Sequence, residues 1–196
     1  MKILEIIFLA IVQGITEFLP VSSSAHLIIM RSFYNMGTLL DSKMLLALDI
    51  ALHFGTLLAI LTYFFKDLFK IAYDFFVERK MRLVFLLIIG TIPAVITGLL
   101  FSSVIDRYFR NNLFLIGIFL IVIGYLLYYF DKKGKNDKEI DDISYIDALI
   151  IGIAQMFALF PGFSRSGMTI MSARYLGIKR VAAAKFSFYL SIPVML

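Results

Sequence analysis

Three long apolar runs place the strongest limit on how this chain folds. They cover about residues 44–65, 83–105 and 113–130. A helix needs roughly 20 apolar residues to cross the hydrocarbon core of a bilayer, and each run is about that long. Pro93 in the second run does not argue against a helix, because membrane helices often carry such residues. These runs predict an all-α polytopic membrane protein.

The composition supports the bilayer as the solvent of this protein. Apolar residues make up 61% of the 196 residues and charged residues 17%, and a soluble domain of this length needs far more polar surface. The net charge of +5 lies in short segments between apolar runs, where it is typical of membrane topology. We therefore expect no nucleic-acid partner. The absence of cysteine excludes disulfides and thiolate metal sites.

Two further apolar stretches are each interrupted by a segment rich in proline and serine. The first covers residues 3–19, breaks at 20–26 and resumes at 27–30, and the second covers 145–160, breaks at 161–167 and resumes at about 168–176. Proline disfavours helix at the residue before it, and serine favours the start of a new helix. Because the pieces are too short to cross twice, we predict two re-entrant helical hairpins. Such breaks are tolerated at membrane depth only inside protein or beside a water-filled cavity.

The two interrupted stretches resemble each other, and three crossings separate them. This order predicts an inverted-topology repeat whose two breaks meet near the midplane. Residues 1–130 would form the first repeat, with its hairpin at about 3–30, and residues 131–142 a charged cytoplasmic linker. Residues 143–196 would begin the second repeat. A repeat of equal length would extend to roughly residue 270, so we expect the chain to lack about two crossings.

The distribution of lysine and arginine predicts the orientation. Thirteen of the 19 lie in residues 66–82, 131–142 and 174–185, which the predicted topology places on one side of the membrane, and five lie on the other side. The basic side of a membrane protein is usually cytoplasmic. The first hairpin would therefore enter from the outer face and the second from the inner face.

The first break carries several polar side chains that suggest chemistry. Glu17 lies one turn after Gln13, and an ionisable residue within an apolar segment is a functional candidate. The alternative is a lipid-edge residue that reaches the interface. Ser22, Ser23 and Ser24 precede the restarting helix, whose free N–H groups and dipole favour an anion. The alternative for these serines is ordinary N-capping.

Histidine and carboxylate groups nearby extend the candidate site. His26 shares a helix face with Ser22 and Ser23, so it suits a general acid, a general base or a nucleophile toward phosphorus. The alternative is a hydrogen bond between helices. Asp49 and His53 are spaced by one helical turn, so they either neutralise each other or support the same cavity.

The second break is the more specific of the two. Residues 161–167 combine two glycines, which allow close approach of the backbone to a ligand, with serine hydroxyls. Arg165 supplies a forked cation suited to phosphate oxygens, and Thr169 adds a hydroxyl. The alternative for Arg165 is a buried salt bridge with Glu17 across the repeat interface.

The motifs around these residues resemble those of the undecaprenyl-diphosphate phosphatase family, the BacA-type bacitracin-resistance proteins. The first signature is similar to Gln13-Gly-Ile-Thr-Glu17-Phe-Leu-Pro-Val-Ser-Ser-Ser-Ala-His26, and the second to Pro161-Gly-Phe-Ser-Arg-Ser-Gly-Met-Thr169. The likeness continues through Asp49-Ile-Ala-Leu-His53-Phe-Gly-Thr and Gly90-Thr-Ile-Pro-Ala-Val. It therefore covers nearly the whole chain.

The resemblance implies an enzyme that hydrolyses undecaprenyl diphosphate to undecaprenyl phosphate and inorganic phosphate, which recycles the lipid carrier for peptidoglycan synthesis. It implies a divalent cation, Mg²⁺ or Ca²⁺, with Glu17 binding the metal or activating the attacking group. Ser23 and His26 would be nucleophile or acid/base, and Arg165 would hold the diphosphate. Together with the residues themselves, this predicts a wider site of Ser22, Ser24, Ser164, Ser166, Gly162 and Thr169 for phosphate, with Gln13, Asp49 and His53 in support.

The resemblance also implies the surroundings of the enzyme. Its partners would be a polyprenyl diphosphate lipid and the bilayer, with a homodimer left open. We expect a multi-pass protein of the bacterial plasma (inner) membrane whose active site faces outward.

A transporter or flippase of polyprenyl phosphate is the main alternative, because inverted repeats and broken helices are also typical of secondary transporters. A non-catalytic membrane scaffold would leave an arginine at membrane depth unexplained. Glutamate, serine, histidine and arginine together indicate bond breaking, whereas a carrier needs only binding groups.

Overall fold

The computed structural model describes residues 3–37, 40–109 and 112–195. Those residues form α-helices joined by short turns, with a single isolated bridge between Lys138 and Ile178. The helices are α1 Ile3–Phe18, α2 Ser23–Phe33, α3 Ser42–Tyr63, α4 Phe65–Phe76, α5 Arg82–Phe109, α6 Leu113–Lys133, α7 Tyr145–Met156, α8 Arg165–Tyr175 and α9 Arg180–Met195. The predicted all-α class is confirmed.

Three of these helices are long and apolar enough to span a membrane. The spans lie at Lys43–Tyr63, Arg82–Ile105 and Leu113–Lys133, within α3, α5 and α6. The sequence placed them correctly to within a few residues. The first span ends at Tyr63 instead of residue 65, because α4 begins at Phe65 with a strongly amphipathic sequence. The chain is therefore a membrane protein with three candidate spans in its described part.

The two interrupted stretches fold as pairs of helices with a break between them. In the first pair, α1 ends at Phe18 and α2 begins at Ser23, four residues before the predicted restart. Ser22 adopts a left-handed backbone conformation with φ 65°, and its hydroxyl does not cap α2. In the second pair, a short 3-10 turn at Phe157–Leu159 follows α7, and the Ser164 hydroxyl caps α8 by accepting from Gly167 N at 3.1 Å. The predicted serine cap therefore exists in the second break only.

The outer ends of each pair lie close together. The rings of Phe8 in α1 and Tyr34 just after α2 meet edge to face, with centroids 5.8 Å apart. Near the start of α7, Asp147 accepts from Lys138 Nζ at 3.0 Å. Lys138 also forms the bridge to Ile178, just after α8. Contacts away from the break therefore link the two arms of each pair.

Arg174 at the end of α8 is buried, although the sequence suggested a loop charge. Only 1% of the residue is exposed. Its guanidinium donates to Asn136 Oδ1 at 2.8 Å, to the Ile178 carbonyl at 2.7 Å and to Asp131 Oδ1 at 3.1 Å. The C-terminal ends of α6 and α8 meet here, and their last carbonyls lack partners within the helices. The Arg174 guanidinium also donates to the carbonyls of Asp131 and Gly134 at the end of α6, so one arginine holds the end of α6 and the start of the linker against the segment that follows α8.

The main hydrophobic core lies where α5, α7 and α9 pack together. Leu86, Ile151, Phe186 and Leu190 are at its centre, each no more than 1% exposed. A second cluster joins α1, α2 and α3. These two cores hold the break after α1 against the break before α8, and the candidate site lies between them.

Candidate active site

A cavity of about 620 Å³ opens between the two helix breaks and α3. Its apolar wall includes Leu27, Ile50 and Phe54. Its polar wall combines residues from α1, α2, α3 and α8: Thr16, Glu17, Ser22, Ser23, Ser24, Asp49, His53, Ser164, Arg165 and Ser166. A cavity with one apolar wall and one polar wall suits an amphipathic ligand that has an anionic end.

Glu17 is the centre of the polar wall. It is 6% exposed and lies in the last turn of α1. One carboxylate oxygen accepts from Arg165 Nη2 at 2.8 Å. The other accepts from the Ser23 hydroxyl at 2.5 Å and from Gln13 Nε2 at 2.9 Å. The salt bridge that the sequence suggested therefore joins side chains 148 positions apart.

Arg165 uses only part of its hydrogen-bonding capacity on Glu17. Its second terminal nitrogen, Nη1, is buried and has no hydrogen-bond partner within the described residues. An unsatisfied buried donor costs about 1–3 kcal/mol, and more when it is charged. Arg165 as a residue lines the cavity, so its guanidinium is placed beside any anion that binds there.

The serines of the second break tie the two hairpins together. Ser166 donates its hydroxyl hydrogen to the carbonyl of Leu19, across the two breaks, at 3.0 Å. Ser164 and Ser166 are linked through their hydroxyls at 3.1 Å. On the opposite side, the hydroxyls of Ser22 and Ser24 lie 3.4 Å apart. All four predicted phosphate-binding serines therefore line the same cavity.

Asp49 and His53 do not neutralise each other. The Asp49 carboxylate instead accepts two hydrogen bonds from the Arg31 guanidinium, at 2.7 and 3.1 Å. His53 contacts the Asp49 backbone carbonyl through Nδ1 at 2.8 Å and places Nε2 3.7 Å from the Glu17 carboxylate. Both residues line the cavity. Of the two alternatives from the sequence, the structure therefore agrees with a position facing the same cavity.

Four predicted site residues, namely Gln13, His26, Gly162 and Thr169, lie outside the cavity wall. His26 is half-buried, and its Nδ1 lies 2.8 Å from the Ser22 carbonyl, one turn back. The Thr169 hydroxyl points into the packing of α8 against α9, 2.6 Å from the Ser187 hydroxyl. Gln13 contacts the site only through Glu17, and its carbonyl oxygen has no partner within the described part of the chain.

The glycines of the second break serve contacts between segments. Gly162 has φ +103°, and a Cβ there would lie 2.9 Å from the Ile116 carbonyl in α6. A Cβ on Gly167 would lie 3.4 Å from the Pro20 carbonyl of the first break. The structure therefore assigns to Gly162 close packing on α6, where the sequence suggested approach to a ligand.

Arg31 is the site-supporting residue that sequence reasoning missed. The distribution of basic residues treats it only as a topological charge on the outer side. Its side chain is 11% exposed and that of Asp49 is 10% exposed. The sequence signal that could have found this pair is the Asp49 carboxylate within an apolar run, because such a carboxylate needs a cation. The two residues are 18 positions apart, so no helical spacing relates them.

Comparison with known proteins agrees with this geometry. The family described as "Bacitracin resistance protein BacA" matches residues 6–196. The chain belongs to this family. An "Undecaprenyl-diphosphatase" of Caldicellulosiruptor bescii is 44% identical over 199 residues, which cover 100% of this chain and 73% of that protein. A protein of the same name from Thermodesulfovibrio yellowstonii is 46% identical over 194 residues, covering 99% of this chain and 71% of that protein.

The described residues do not provide a full set of ligands for the divalent cation that the family resemblance led us to expect. Among the described residues, no three His, Cys, Asp or Glu side chains lie close enough to share a metal ion. Both Glu17 oxygens are already engaged, one of them by a guanidinium. Magnesium binds through one or two carboxylates together with substrate phosphates and waters. The side chains present do not fit a metal held by protein alone.

Proposed function

We propose that this BacA family member is an integral-membrane undecaprenyl-diphosphatase. It hydrolyses undecaprenyl diphosphate to undecaprenyl phosphate and inorganic phosphate, and thereby returns the lipid carrier to peptidoglycan synthesis and contributes to bacitracin resistance. The observation that carries the proposal is the cluster of Glu17, Ser23 and Arg165 on one cavity wall. The relatives named undecaprenyl-diphosphatase, 44% and 46% identical, support it and do not favour the transporter alternative.

Arg165 binds the terminal phosphate in this proposal. Its guanidinium, paired with Glu17 through Nη2, lines the cavity and donates to a phosphate oxygen there. The hydroxyls of Ser22, Ser24 and Ser164 complete the binding surface. Fixed donors aimed at developing charge contribute strongly to catalysis in a site that excludes water.

Ser23 is the proposed nucleophile, because its hydroxyl hydrogen already points at Glu17. The serine oxygen forms a bond to the terminal phosphorus as its proton passes to Glu17. The bond from phosphorus to the bridging oxygen breaks, and that oxygen leaves with the electron pair as undecaprenyl phosphate. Water then releases phosphate from the serine. His26 has no role in these steps, since it lies off the cavity wall.

The apolar wall receives the polyprenyl tail. Leu27 and Ile28 of α2 face Leu46, Ile50 and Phe54 of α3 around the cavity. Side chains of this kind suit an isoprenoid chain, whereas the polar wall suits the diphosphate. The substrate would thus lie with its headgroup at the two breaks and its tail toward lipid.

The broken helix pairs are proposed as re-entrant hairpins of an inverted repeat, comprising residues 1–130, a linker at 131–142 and a second repeat that begins at 143. The contact between Phe8 and Tyr34 supports the first hairpin. Lys138 supports the second, because it contacts residues at both ends of the pair. Contact of Ser166 with Leu19 supports a meeting of the two breaks.

The proposed location is the bacterial plasma membrane with the site facing outward, as the distribution of basic residues favours. The chain has no cysteine, so single cysteines report topology directly. In intact cells, Lys43→Cys should react with an impermeant thiol reagent and Lys135→Cys only after permeabilisation; both positions are exposed. Reversed labelling would refute the orientation. Light scattering in detergent tests the homodimer.

The decisive assay is phosphate release from undecaprenyl diphosphate by the purified protein in detergent. Ser23→Ala should lower the rate by at least about a hundredfold, because removing a nucleophile leaves only binding and electrostatic effects. Ser32→Ala on the exposed side of the same helix is the matched control and should retain the parent rate. Equal rates for parent and Ser23→Ala would refute serine attack, and no release by the parent would refute the phosphatase itself.

A further inference from the structure

The two histidines of the chain occupy different environments. His53 lines the cavity, and 35% of its side chain is exposed. His26 is half-buried and does not line the cavity. Only His53 is therefore placed to contact a phosphate or a water beside it.

The His53 ring is held in one orientation by the backbone. Its Nδ1 lies 2.8 Å from the carbonyl oxygen of Asp49. A carbonyl oxygen can only accept, so Nδ1 carries a hydrogen and donates it. In the neutral ring this assigns the lone pair to Nε2, which lies 3.7 Å from the Glu17 carboxylate oxygen. His53 thus presents an acceptor beside Glu17.

The helix that carries His53 is itself fixed. The Asp49 carboxylate is bound by both terminal nitrogens of Arg31. This paired contact joins α3 to the end of α2, and the Asp49 carbonyl that orients His53 is itself fixed in the helix backbone of α3. The position of Nε2 therefore depends on α3 and on the packing of α2 against it.

The cavity needs a second acceptor for the hydrolytic step. Glu17 already accepts from Ser23, Gln13 and Arg165, and it takes the serine proton in the first step proposed above. A water that attacks a phosphoserine still has to transfer a proton. Of the side chains on the cavity wall, His53 supplies the nitrogen base nearest to Glu17.

We propose that His53 is a catalytic residue that accepts, through Nε2, the proton of the water that hydrolyses phosphorylated Ser23. This inference rests on the proposed function. The water oxygen forms a bond to phosphorus as its proton passes to Nε2. The bond from phosphorus to Ser23 Oγ breaks, and Oγ takes the electron pair and regains its proton from Glu17. Inorganic phosphate leaves with the proton that His53 then returns.

Two amide substitutions separate this role from a structural one. Asn replaces the Nδ1 side of imidazole but does not reach the Nε2 position, whereas Gln reaches it with an amide oxygen that can accept a hydrogen bond. His53→Asn should lower the turnover number by about a hundredfold and lower KM with it, because only the second step is slowed and kcat/KM, which is set by formation of the phosphoserine, stays nearly unchanged. It should also accumulate acid-stable label on Ser23 from substrate labelled in the terminal phosphate. His53→Gln restores a hydrogen-bond acceptor at that position but not a base, because an amide oxygen does not take a proton near neutral pH, so it should be slow and carry label as His53→Asn does.

The controls make every outcome decisive. His53→Asn combined with Ser23→Ala should carry no label. Parent-like turnover in either single variant overturns the role of Nε2 as the proton acceptor. Loss of activity in both without label on the enzyme also overturns it. Activity of Ser23→Ala would instead refute the serine mechanism, so the two failures are distinguishable.

Discussion

Removal of charge at Glu17 and Arg165 separates the structural value of their salt bridge from its use in phosphate binding. Arg165→Gln leaves a carboxylate that is 6% exposed without its cation. Breaking a buried ion pair from one side costs about 3–5 kcal/mol. Glu17→Gln has a comparable cost, because it leaves the buried Arg165 guanidinium without its carboxylate partner. The double variant removes both charges and should recover about 2–3 kcal/mol of the summed loss, which is the upper part of the range of about 0.5–3 kcal/mol seen for directly contacting residues.

Activity should follow a different pattern from stability. Arg165→Gln removes the cation proposed to hold the phosphate, and loss of one such donor lowers the turnover number by about 10²–10³. The double variant regains stability but not Arg165, so its rate should stay as low as that of the single variants. A stable but inactive double variant is therefore the expected result.

The assay pairs phosphate release with thermal stability in detergent. The chain has no cysteine for a thiol-reactive dye and no tryptophan for intrinsic fluorescence. Unfolding is therefore measured as the loss of the monodisperse peak in size-exclusion chromatography after heating. The matched control is the exposed pair Glu139 and Lys179, 2.6 Å apart and with side chains 59% and 44% exposed. Its neutralisation should barely move the midpoint. Parent-like phosphate release by Arg165→Gln, or strictly additive stability losses, would refute the reasoning.

Three further outcomes are expected. Arg174→Lys should lower the thermal midpoint with KM unchanged, because lysine cannot reproduce the bonds to Asp131, Asn136 and Ile178; an unchanged midpoint would count against that network. Gly162→Ala should destabilise the protein, since φ is +103° and Ile116 lies too close, whereas Gly117→Ala, with nothing within 4 Å, should not; equal midpoints would contradict this. A chelator should leave the midpoint unchanged and reduce phosphate release only through the substrate's own cation, so a chelator-induced fall in the midpoint would indicate a metal held by protein.

Much of the architecture was determined by local sequence. The three spans follow from runs of apolar side chains whose length matches the bilayer, as in α6, predicted at 113–130 and found at Leu113–Lys133. Pro20 and Pro161 determined where the two apolar stretches break, because proline removes a hydrogen-bond donor and restricts the residue before it. The pattern of these breaks also placed Glu17 and Arg165 among the candidate site residues, because each is an ionisable side chain at an interruption of an apolar stretch.

Only the tertiary structure decided which of the polar residues act together. The sequence predicted a catalytic role for His26 and a supporting one for His53, but packing placed His53 beside Glu17 and left His26 off the cavity wall. Asp49 found its cation 18 positions away in Arg31, and Arg174 became a buried anchor between the end of α6 and the segment that follows α8. Helical periodicity relates side chains within one or two turns. Pairing across separate helices depends on how their apolar faces pack, which no local spacing specifies.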